Sequence, residues 1–177
     1  MSAVGAYPSQ LETRWSARGK SFVIRPIRPS DAPAHGAFFG RLSPEDVRFR
    51  FFSAKRELAS KQLERLTQID YAREMALIAV REPSGETVGV ARLVCDKDDH
   101  AAEFAIAVEP AMKGIGLGSE LMRRLIDWGR TRDVHVIVGE ILADNQTMLA
   151  FIRRLGFTLH RLAEADDVIE ARLNLAG

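Results

Sequence analysis

Three glycines at alternate positions, Gly114, Gly116 and Gly118, lie where one apolar run has ended and another of different period begins. Residues 101–108 alternate in the manner of a strand, and residues 117–130 repeat apolar side chains at helical spacing. Glycines let backbone N–H groups approach an anion, and a helix N-terminus adds unpaired donors and a positive dipole end. The segment therefore predicts a phosphate or pyrophosphate loop, the alternative being a tight strand-to-helix turn.

The spacing of these glycines excludes two other phosphate loops. A Walker loop requires Gly-Lys-Ser/Thr after four spacer residues, which this segment lacks. A dinucleotide fingerprint requires G-x-G-x-x-G, whereas the sequence from Gly114 reads G-x-G-x-G. The preceding strand is also the third of a predicted meander and not the first strand of a βαβ unit, which argues against a Rossmann site.

The whole chain alternates strand-like and helix-like segments. Predicted strands cover residues 21–27, 75–80, 87–95, 101–108, 134–141, 157–161 and 168–173. Predicted helices cover residues 31–42, 44–52, 117–130 and 145–155, with another around 58–69. Tight links between residues 75 and 108 indicate an antiparallel meander. We therefore expect an α/β fold with a mixed, mostly antiparallel sheet, as a single domain over residues 20–177 after an irregular lead-in over residues 1–19.

Composition narrows the class of protein. The 177 residues are 46% hydrophobic, enough for one domain with a core, and 25 basic against 24 acidic residues leave a net charge of +1. This balance argues against a general binder of nucleic acids or anionic membranes. The sequence shows no apolar run of the roughly 18 residues that a membrane span needs, and no secretory leader, so we expect a soluble, cytoplasmic protein.

Residue types that bind metals are few and scattered. Cys95 is the single cysteine, which excludes an intrachain disulfide and a cysteine metal cluster. The four histidines, His35, His100, His135 and His160, are interpreted as surface or strand residues. We therefore expect no metal site.

Two motifs resemble those of the GNAT N-acetyltransferase superfamily. The glycine loop is similar to its acyl-CoA pyrophosphate loop, Gln/Arg-x-x-Gly-x-Gly/Ala, with Lys113 at the Gln/Arg position before Gly116 and Gly118. The second signature is a strand, an Asn and a helix that ends in Gly-Phe, matched by residues 134–141, Asn145 and Gly156-Phe157. The resemblance covers residues 21–175 and implies acetyl-CoA as co-substrate, bound where the sheet opens in a V between strands 101–108 and 134–141.

Longer runs within residues 7–80 resemble the acetyltransferase domain of bacterial Pat-type protein-lysine acetyltransferases. These runs are YPSQLETRW, IRPIRPSDA, RLSPEDVRFRFF and LTQIDYAREMALIAV. The resemblance implies that an acetyl group passes to a protein lysine by direct attack in a ternary complex, with acyl-CoA synthetases among the targets. The alternatives are a small-molecule amine or peptide N-terminus as the acceptor, or a non-catalytic acyl-CoA-binding sensor.

Glu103 is the candidate general base for that reaction. A lysine amine, with a pKa of about 10.4, is almost wholly protonated at pH 7, so a nearby base is useful. Strand alternation places Glu103 on one face with Ala101, Ala105 and Ala107, where we expect partial desolvation to make it a stronger base. The alternative is an ion pair with Arg92 on the neighbouring strand. The resemblance also places the general base on this strand.

The resemblance further implies the contacts of CoA. Backbone N–H groups near Ala107 and Val108 are expected to bind the oxyanion and the pantetheine arm at a bulge in the strand. Asn145 is expected to contact the CoA arm, its other possible role being to cap the following helix. The predicted cofactor-binding residues are Ile106, Ala107, Val108, Lys113, Gly114, Ile115, Gly116, Leu117, Gly118, Ser119, Asn145 and Met148.

The chain departs from the family at the position of a frequent tyrosine. In many GNAT enzymes a Tyr in the helix before Gly-Phe protonates the leaving thiolate. That position falls on Ile152, beside Phe151, and residues 145–155 contain no Tyr. A thiol, with a free pKa of about 8.5, is a good leaving group without a dedicated acid.

Overall fold

The computed structural model describes residues 6–46, 58–96, 98 and 100–175 of the chain. Within these residues, one sheet contains the strands β1 (Thr13–Ala17), β2 (Lys20–Pro26), β3 (Glu74–Glu82), β4 (Thr87–Cys95), β5 (Ala101–Val108), β6 (Val136–Leu142), β7 (Thr158–Leu162) and β8 (Ala165–Asn174). Their order across the sheet is β1-β2-β3-β4-β5-β6-β8-β7. Neighbouring strands are antiparallel apart from β5 and β6, which are parallel.

Helices cover both faces of the sheet, which explains why β3 and β4 are buried along most of their length. The helices are α1 (Ala32–Arg41), α2 (Ser60–Thr67), α3 (Leu117–Thr131) and α4 (Gln146–Arg154). On the face of α1 and α2, Phe38 belongs to a cluster that packs against Val90. On the face of α3 and α4, Leu121 and Leu149 join Leu93 in the main core. None of the helices in the described ranges is both long and apolar enough to cross a bilayer.

The predicted fold class, α/β with a mixed and mostly antiparallel sheet, is confirmed. The strands over 87–95 and 101–108 have the predicted bounds, and the remaining predicted elements that the structure describes in full differ from the observed ones by a few residues at their ends. The helix predicted over 44–52 is described only in part. Residues 44–46 form a helical turn, and residues 47–57 lie outside the described ranges.

The predicted irregular lead-in contains a strand. β1 pairs with β2 from Thr13↔Ile24 to Ala17↔Lys20, and the rings of Trp15 and Phe22 pack with centroids 5.7 Å apart. The prediction of an irregular segment over residues 1–19 is therefore wrong at β1, which belongs to the sheet. β1 is a five-residue strand whose side chains are mostly exposed, so its sequence lacks the apolar alternation that would have indicated it.

The sheet opens between β5 and β6, as predicted. Their pairing runs from Ala101↔Val136 to Glu103↔Val138. The next residue of β5, Phe104, places its ring so close to Gly139 of β6 that a Cβ built on the glycine would lie 2.3 Å from the ring. The ring thus takes up the space between the strands where their pairing ends.

Candidate active site

A cleft of about 790 Å³ lies between β5 and β6 and extends to the first turns of α3 and α4. Its wall includes these predicted site residues: Glu103, Ile106, Ala107, Val108, Lys113, Gly114, Gly116, Leu117, Gly118, Ser119, Asn145 and Met148. The structure therefore brings the predicted base, the glycine loop and Asn145 to one cleft. Ile115 differs, because its half-buried side chain packs against the main core.

The glycine loop needs glycine for two different reasons. Gly114 and Gly116 have φ of 83° and 89°, in the left-handed region that side chains with a Cβ rarely adopt. Gly118 lies within the first turn of α3, where a Cβ would approach the Phe151 ring to 3.4 Å. The backbone N–H groups of Leu117 and Gly118 open the helix, and the first N–H groups of a helix have no partner within it. The loop thus presents donors to the cleft.

Lys113 is held beside the loop by an ion pair. Its Nζ lies 2.7 Å from Asp46 Oδ1, and about half of the lysine side chain remains exposed. Asp46 also borders the cleft and was not predicted as a site residue. The pair places a cation beside the loop and neutralises a carboxylate that would otherwise repel a phosphate.

The backbone groups of β5 point alternately toward β4 and toward the opening. Glu109 N donates to Val88 O and Asp96 N donates to Ala101 O, each at 2.9 Å. Every second residue pair along an antiparallel ladder is hydrogen-bonded, and in β5 these are the odd-numbered residues. Their backbone N–H and C=O groups therefore point toward β4. The N–H groups of the even-numbered residues therefore point into the opening between β5 and β6.

Two of these outward amides, those of Ile106 and Val108, lie at the cleft. The register of β5 with β4 continues without a shift through Val108↔Gly89. The expected bulge near Ala107 is therefore wrong, and the Ala107 N–H lies in the ladder. Divergence of β6, rather than a bulge, frees the amides that a ligand could use.

Glu103 lies at the last pair before the strands diverge, opposite Val94 on β4 and Val138 on β6. Its side chain is exposed and borders the cleft. The expected partial desolvation among alanines is therefore wrong, since water reaches the carboxylate. An exposed carboxylate at a cleft wall can accept a proton directly or through a water molecule.

The alternative partner of Glu103, Arg92, is engaged elsewhere. Arg92 Nη1 donates to Glu74 Oε2 at 2.6 Å, and its Nη2 donates to Leu66 O at 2.8 Å. Burial lowers the pKa of the Arg92 guanidinium, and the charge and hydrogen bond of Glu74 partly offset that effect. Arg92 and Glu74 thus form a buried structural pair under α2, and the alternative interpretation, an ion pair of Arg92 with Glu103, is wrong.

Asn145 caps α4 at the edge of the cleft. Its buried side chain accepts a hydrogen bond from Met148 N at 3.2 Å, so the capping role is confirmed. One turn further on, Phe151 faces the cleft while Ile152 is fully buried in the core. Among the described residues of the cleft wall there is no Tyr, Cys or His to act as an acid.

Sequence reasoning missed several residues of the wall. Glu140 is one of them, and strand alternation puts it on the same sheet face as Val138 and hence as Glu103. The others include Thr147, Phe151 and Arg154 on α4. The helical period of α4 carried a signal for these three, because residues three and four positions apart share a helix face.

The fold and the cleft define an acyl-CoA N-acyltransferase, and the comparisons with known proteins identify its family. Residues 21–158 match the family described as the acetyltransferase (GNAT) domain. The chain is 32% identical over 160 residues to Acetyltransferase PA5475 of Pseudomonas aeruginosa, a match that takes in 89% of this chain and 85% of that protein. The chain therefore belongs to the GNAT acetyltransferase family.

Two further similarities concern Pat proteins. The chain is 30% identical over 150 residues to Acetyltransferase Pat of Mycolicibacterium smegmatis, covering 84% of this chain and 43% of that protein. The crystal structure of the GNAT domain of S. lividans PAT superimposes with a TM-score of 0.87 at 26% identity, over 96% of this chain and 99% of that one. These similarities agree with the resemblance in residues 7–80.

Proposed function

We propose that this chain transfers the acetyl group of acetyl-CoA to a lysine side chain of a protein, with Glu103 as general base. The observation that carries the proposal is that the glycine loop, the outward amides of β5 and Glu103 line one continuous cleft. The amine nitrogen attacks the thioester carbon, the C–S bond breaks, CoA leaves as a thiolate, and the amine loses a proton.

The co-substrate is proposed to lie along the open edge of β5. Its pyrophosphate would accept hydrogen bonds from the first N–H groups of α3 beside Lys113. Its pantetheine arm would continue the strand ladder through the free backbone groups of Val108. The Ile106 N–H, also aimed into the opening and nearer to Glu103 along the strand, would then stabilise the oxyanion of the tetrahedral intermediate.

Glu103 is proposed to take the proton from the acceptor ammonium. Deprotonating an amine of pKa about 10.4 at pH 7 costs roughly 4–5 kcal/mol of free energy. A base positioned next to the amine offsets this cost by accepting the proton during the reaction. Water access to Glu103 permits relay through a single water molecule. The apolar Phe151 beside the cleft offers no proton, so the thiolate is proposed to leave unprotonated.

Charge at the cleft supports a cationic acceptor. Glu103 and Glu140 border the cleft from the two diverging strands and share one sheet face. Their carboxylates attract a lysine ammonium before it is deprotonated. Together with the similarity to Pat proteins, this supports the active-site lysine of an acyl-CoA synthetase as the acceptor.

The test is release of thiol from acetyl-CoA, with and without an acyl-CoA synthetase, followed by mass spectrometry of the acceptor. We expect release that depends on the synthetase and one acetylated lysine in it. Glu103→Gln should abolish most of this turnover while acetyl-CoA still binds. Glu164→Gln, an exposed change in the turn between β7 and β8, serves as the matched control.

Three outcomes would overturn parts of the proposal. Turnover with small amines or a peptide N-terminus, but not with the synthetase, would replace the lysine acceptor. Unchanged turnover in Glu103→Gln would remove the base. Binding of acetyl-CoA without turnover on any acceptor would identify a sensor.

A further inference from the structure

Three side chains with metal-binding atoms meet at the closed end of the β5–β6 pair. His100 immediately precedes β5, while Asp133 and His135 precede β6. One ligand atom from each lies within 4.8 Å of the others. The rings of His100 and His135 are stacked with centroids 4.6 Å apart, and His135 Nε2 lies 3.4 Å from Asp133 Oδ1.

The backbone fixes the separation of these residues. His135 N donates to His100 O at 2.7 Å, and Val136 N donates to the same oxygen at 3.1 Å. The His135 carbonyl accepts from Leu175 N at 2.7 Å. Asp133 has φ of 61°, a left-handed conformation that is uncommon for a residue with a side chain. The fold thus brings the three residues together before any ligand arrives.

The distances fit a first-row transition metal. Tetrahedral zinc holds nitrogen and oxygen ligands at 2.0–2.2 Å, which puts any two ligand atoms about 3.3 Å apart. The Asp133–His135 distance of 3.4 Å already meets this value. His100 must move its ring nitrogen inward from at most 4.8 Å, which an exposed side chain can do by rotation.

We propose that His100, Asp133 and His135 bind one divalent transition-metal ion, represented by Zn²⁺. Two imidazoles and one carboxylate suit zinc and its neighbours better than the oxygen-preferring Mg²⁺ or Ca²⁺. Because about half of the His135 side chain and most of the Asp133 side chain are exposed, water completes the coordination and the ion exchanges. The sequence-based expectation of no metal site missed this cluster, since 32 residues separate His100 from Asp133.

The ion would link the start of β5 to the start of β6. The described parallel pairing there is short, from Ala101↔Val136 to Glu103↔Val138. Glu103 is three residues beyond His100, about 10 Å along the strand at about 3.3 Å per residue. The ion therefore lies outside the acyl-transfer cleft and stabilises its closed end. This inference does not depend on the proposed acceptor or on Glu103 as base.

The proposal is tested by titrating the full, untagged chain with Zn²⁺ and measuring the heat of binding by calorimetry. Titration with Co²⁺ then reports the coordination through the absorption spectrum of the bound ion. We expect about one ion per chain and a rise in the melting temperature on adding Zn²⁺. Removing a residue that hydrogen-bonds to a metal ligand typically weakens metal binding about 10–100-fold. Removing a ligand itself should cost no less, so His100→Ala and His135→Ala should each weaken Zn²⁺ binding at least about tenfold. Asp133→Asn retains the backbone preference and should weaken binding through loss of charge.

His160→Ala is the matched control, because His160 is an exposed histidine of β7 that bonds Thr158. It should bind Zn²⁺ and gain thermal stability as the wild type does. The proposal is overturned if the wild type shows no saturable binding, or if binding persists unchanged in both His100→Ala and His135→Ala. Circular dichroism without metal checks that each variant is folded.

Discussion

At the scale of single residues, the most informative side chain is Glu103. It stands at the last β5–β6 pair, exposed and without the enclosure that would strengthen a base. The catalytic contribution that we propose for it must therefore come from position. Glu103→Gln should lower kcat by about 10²–10⁴ and leave the dissociation constant of acetyl-CoA nearly unchanged. Steady-state kinetics together with calorimetric binding of acetyl-CoA check the assignment, because the variant should slow the transfer step and leave co-substrate binding intact.

A second residue-scale prediction concerns acid stability. Asp31 is buried and receives hydrogen bonds from Arg25 Nη2 at 2.7 Å and from Arg28 N at 2.8 Å. Burial alone would raise the pKa of Asp31, but the hydrogen bonds and charge of Arg25 and the Arg28 N–H outweigh it and hold the pKa below 3.8. Because the folded-state pKa is depressed, the stabilisation is present above the unfolded value and is lost as pH falls through the folded value.

Urea unfolding of the wild type and of Asp31→Asn, from pH 7 down to the acid limit, measures this effect. The variant should be less stable at pH 7, and its stability should fall less in acid, because the titrating carboxyl is gone. Glu164→Gln, in an exposed turn, is the control. Parallel acid dependence in wild type and Asp31→Asn would contradict the assignment.

At the scale of elements, the proposed ligand-binding role of the strand-to-helix loop can be separated from the backbone strain that any side chain would cause there. Gly116 and Gly85 both have positive φ, 89° and 78°, and a Cβ built on Gly85 meets nothing within 4 Å. Alanine at either position should therefore cost roughly 1–2 kcal/mol of stability. Gly116→Ala should also weaken acetyl-CoA binding, and Gly116→Val should weaken it further, because the side chain enters the space proposed for the pyrophosphate. Calorimetric titration compares these variants with Gly85→Ala, which should bind normally.

The divergence of β5 and β6 gives another element-scale prediction. Alanine at Gly139 would place a Cβ 2.3 Å from the Phe104 ring, which itself packs on Phe157 with centroids 5.2 Å apart. Overpacking of this kind costs about 1–3 kcal/mol. Gly139→Ala should lower the unfolding midpoint, and Phe104→Leu should partly restore it. Failure of that rescue would show that the ring is not the obstacle.

Much of this architecture follows from local sequence. The strand over 87–95 follows a turn of Pro, Ser and Gly, and its nearly continuous apolar run ends at Asp96, so the sequence indicates its length. The sequence could not indicate partners that depend on register. Arg92 on β4 lies opposite Ala76 on β3, and its hydrogen bond to Glu74 depends on the register of these two strands. Likewise, His100 and His135 meet because β5 and β6 pair in parallel across an intervening helix.

At the scale of the whole molecule, the cleft lies between two blocks of sheet. β1 to β5 form one block and β6 to β8 the other, joined by the short parallel pairing and by the helices. A ligand in the cleft contacts both, so acetyl-CoA should stabilise the molecule as a unit. At a concentration 100 times its dissociation constant the gain is about 2.7 kcal/mol, seen as a higher melting temperature. Gly116→Val should show little of this shift, and a full shift in that variant would place the co-substrate elsewhere.

The alternation of β5 has a consequence for how this protein could be redesigned. Main-chain donors of Ile106 and Val108 lie in the plane of the sheet, whereas the side chains of Ala105 and Ala107 project toward α1. A main-chain N–H donor is the same in every residue except proline, which lacks it. A library of variants at positions 105 and 107 could therefore reshape the wall next to Glu103, while the main-chain hydrogen bonds proposed to bind the acyl donor are retained. Selection for new amine acceptors would then start from enzymes that still load acetyl-CoA.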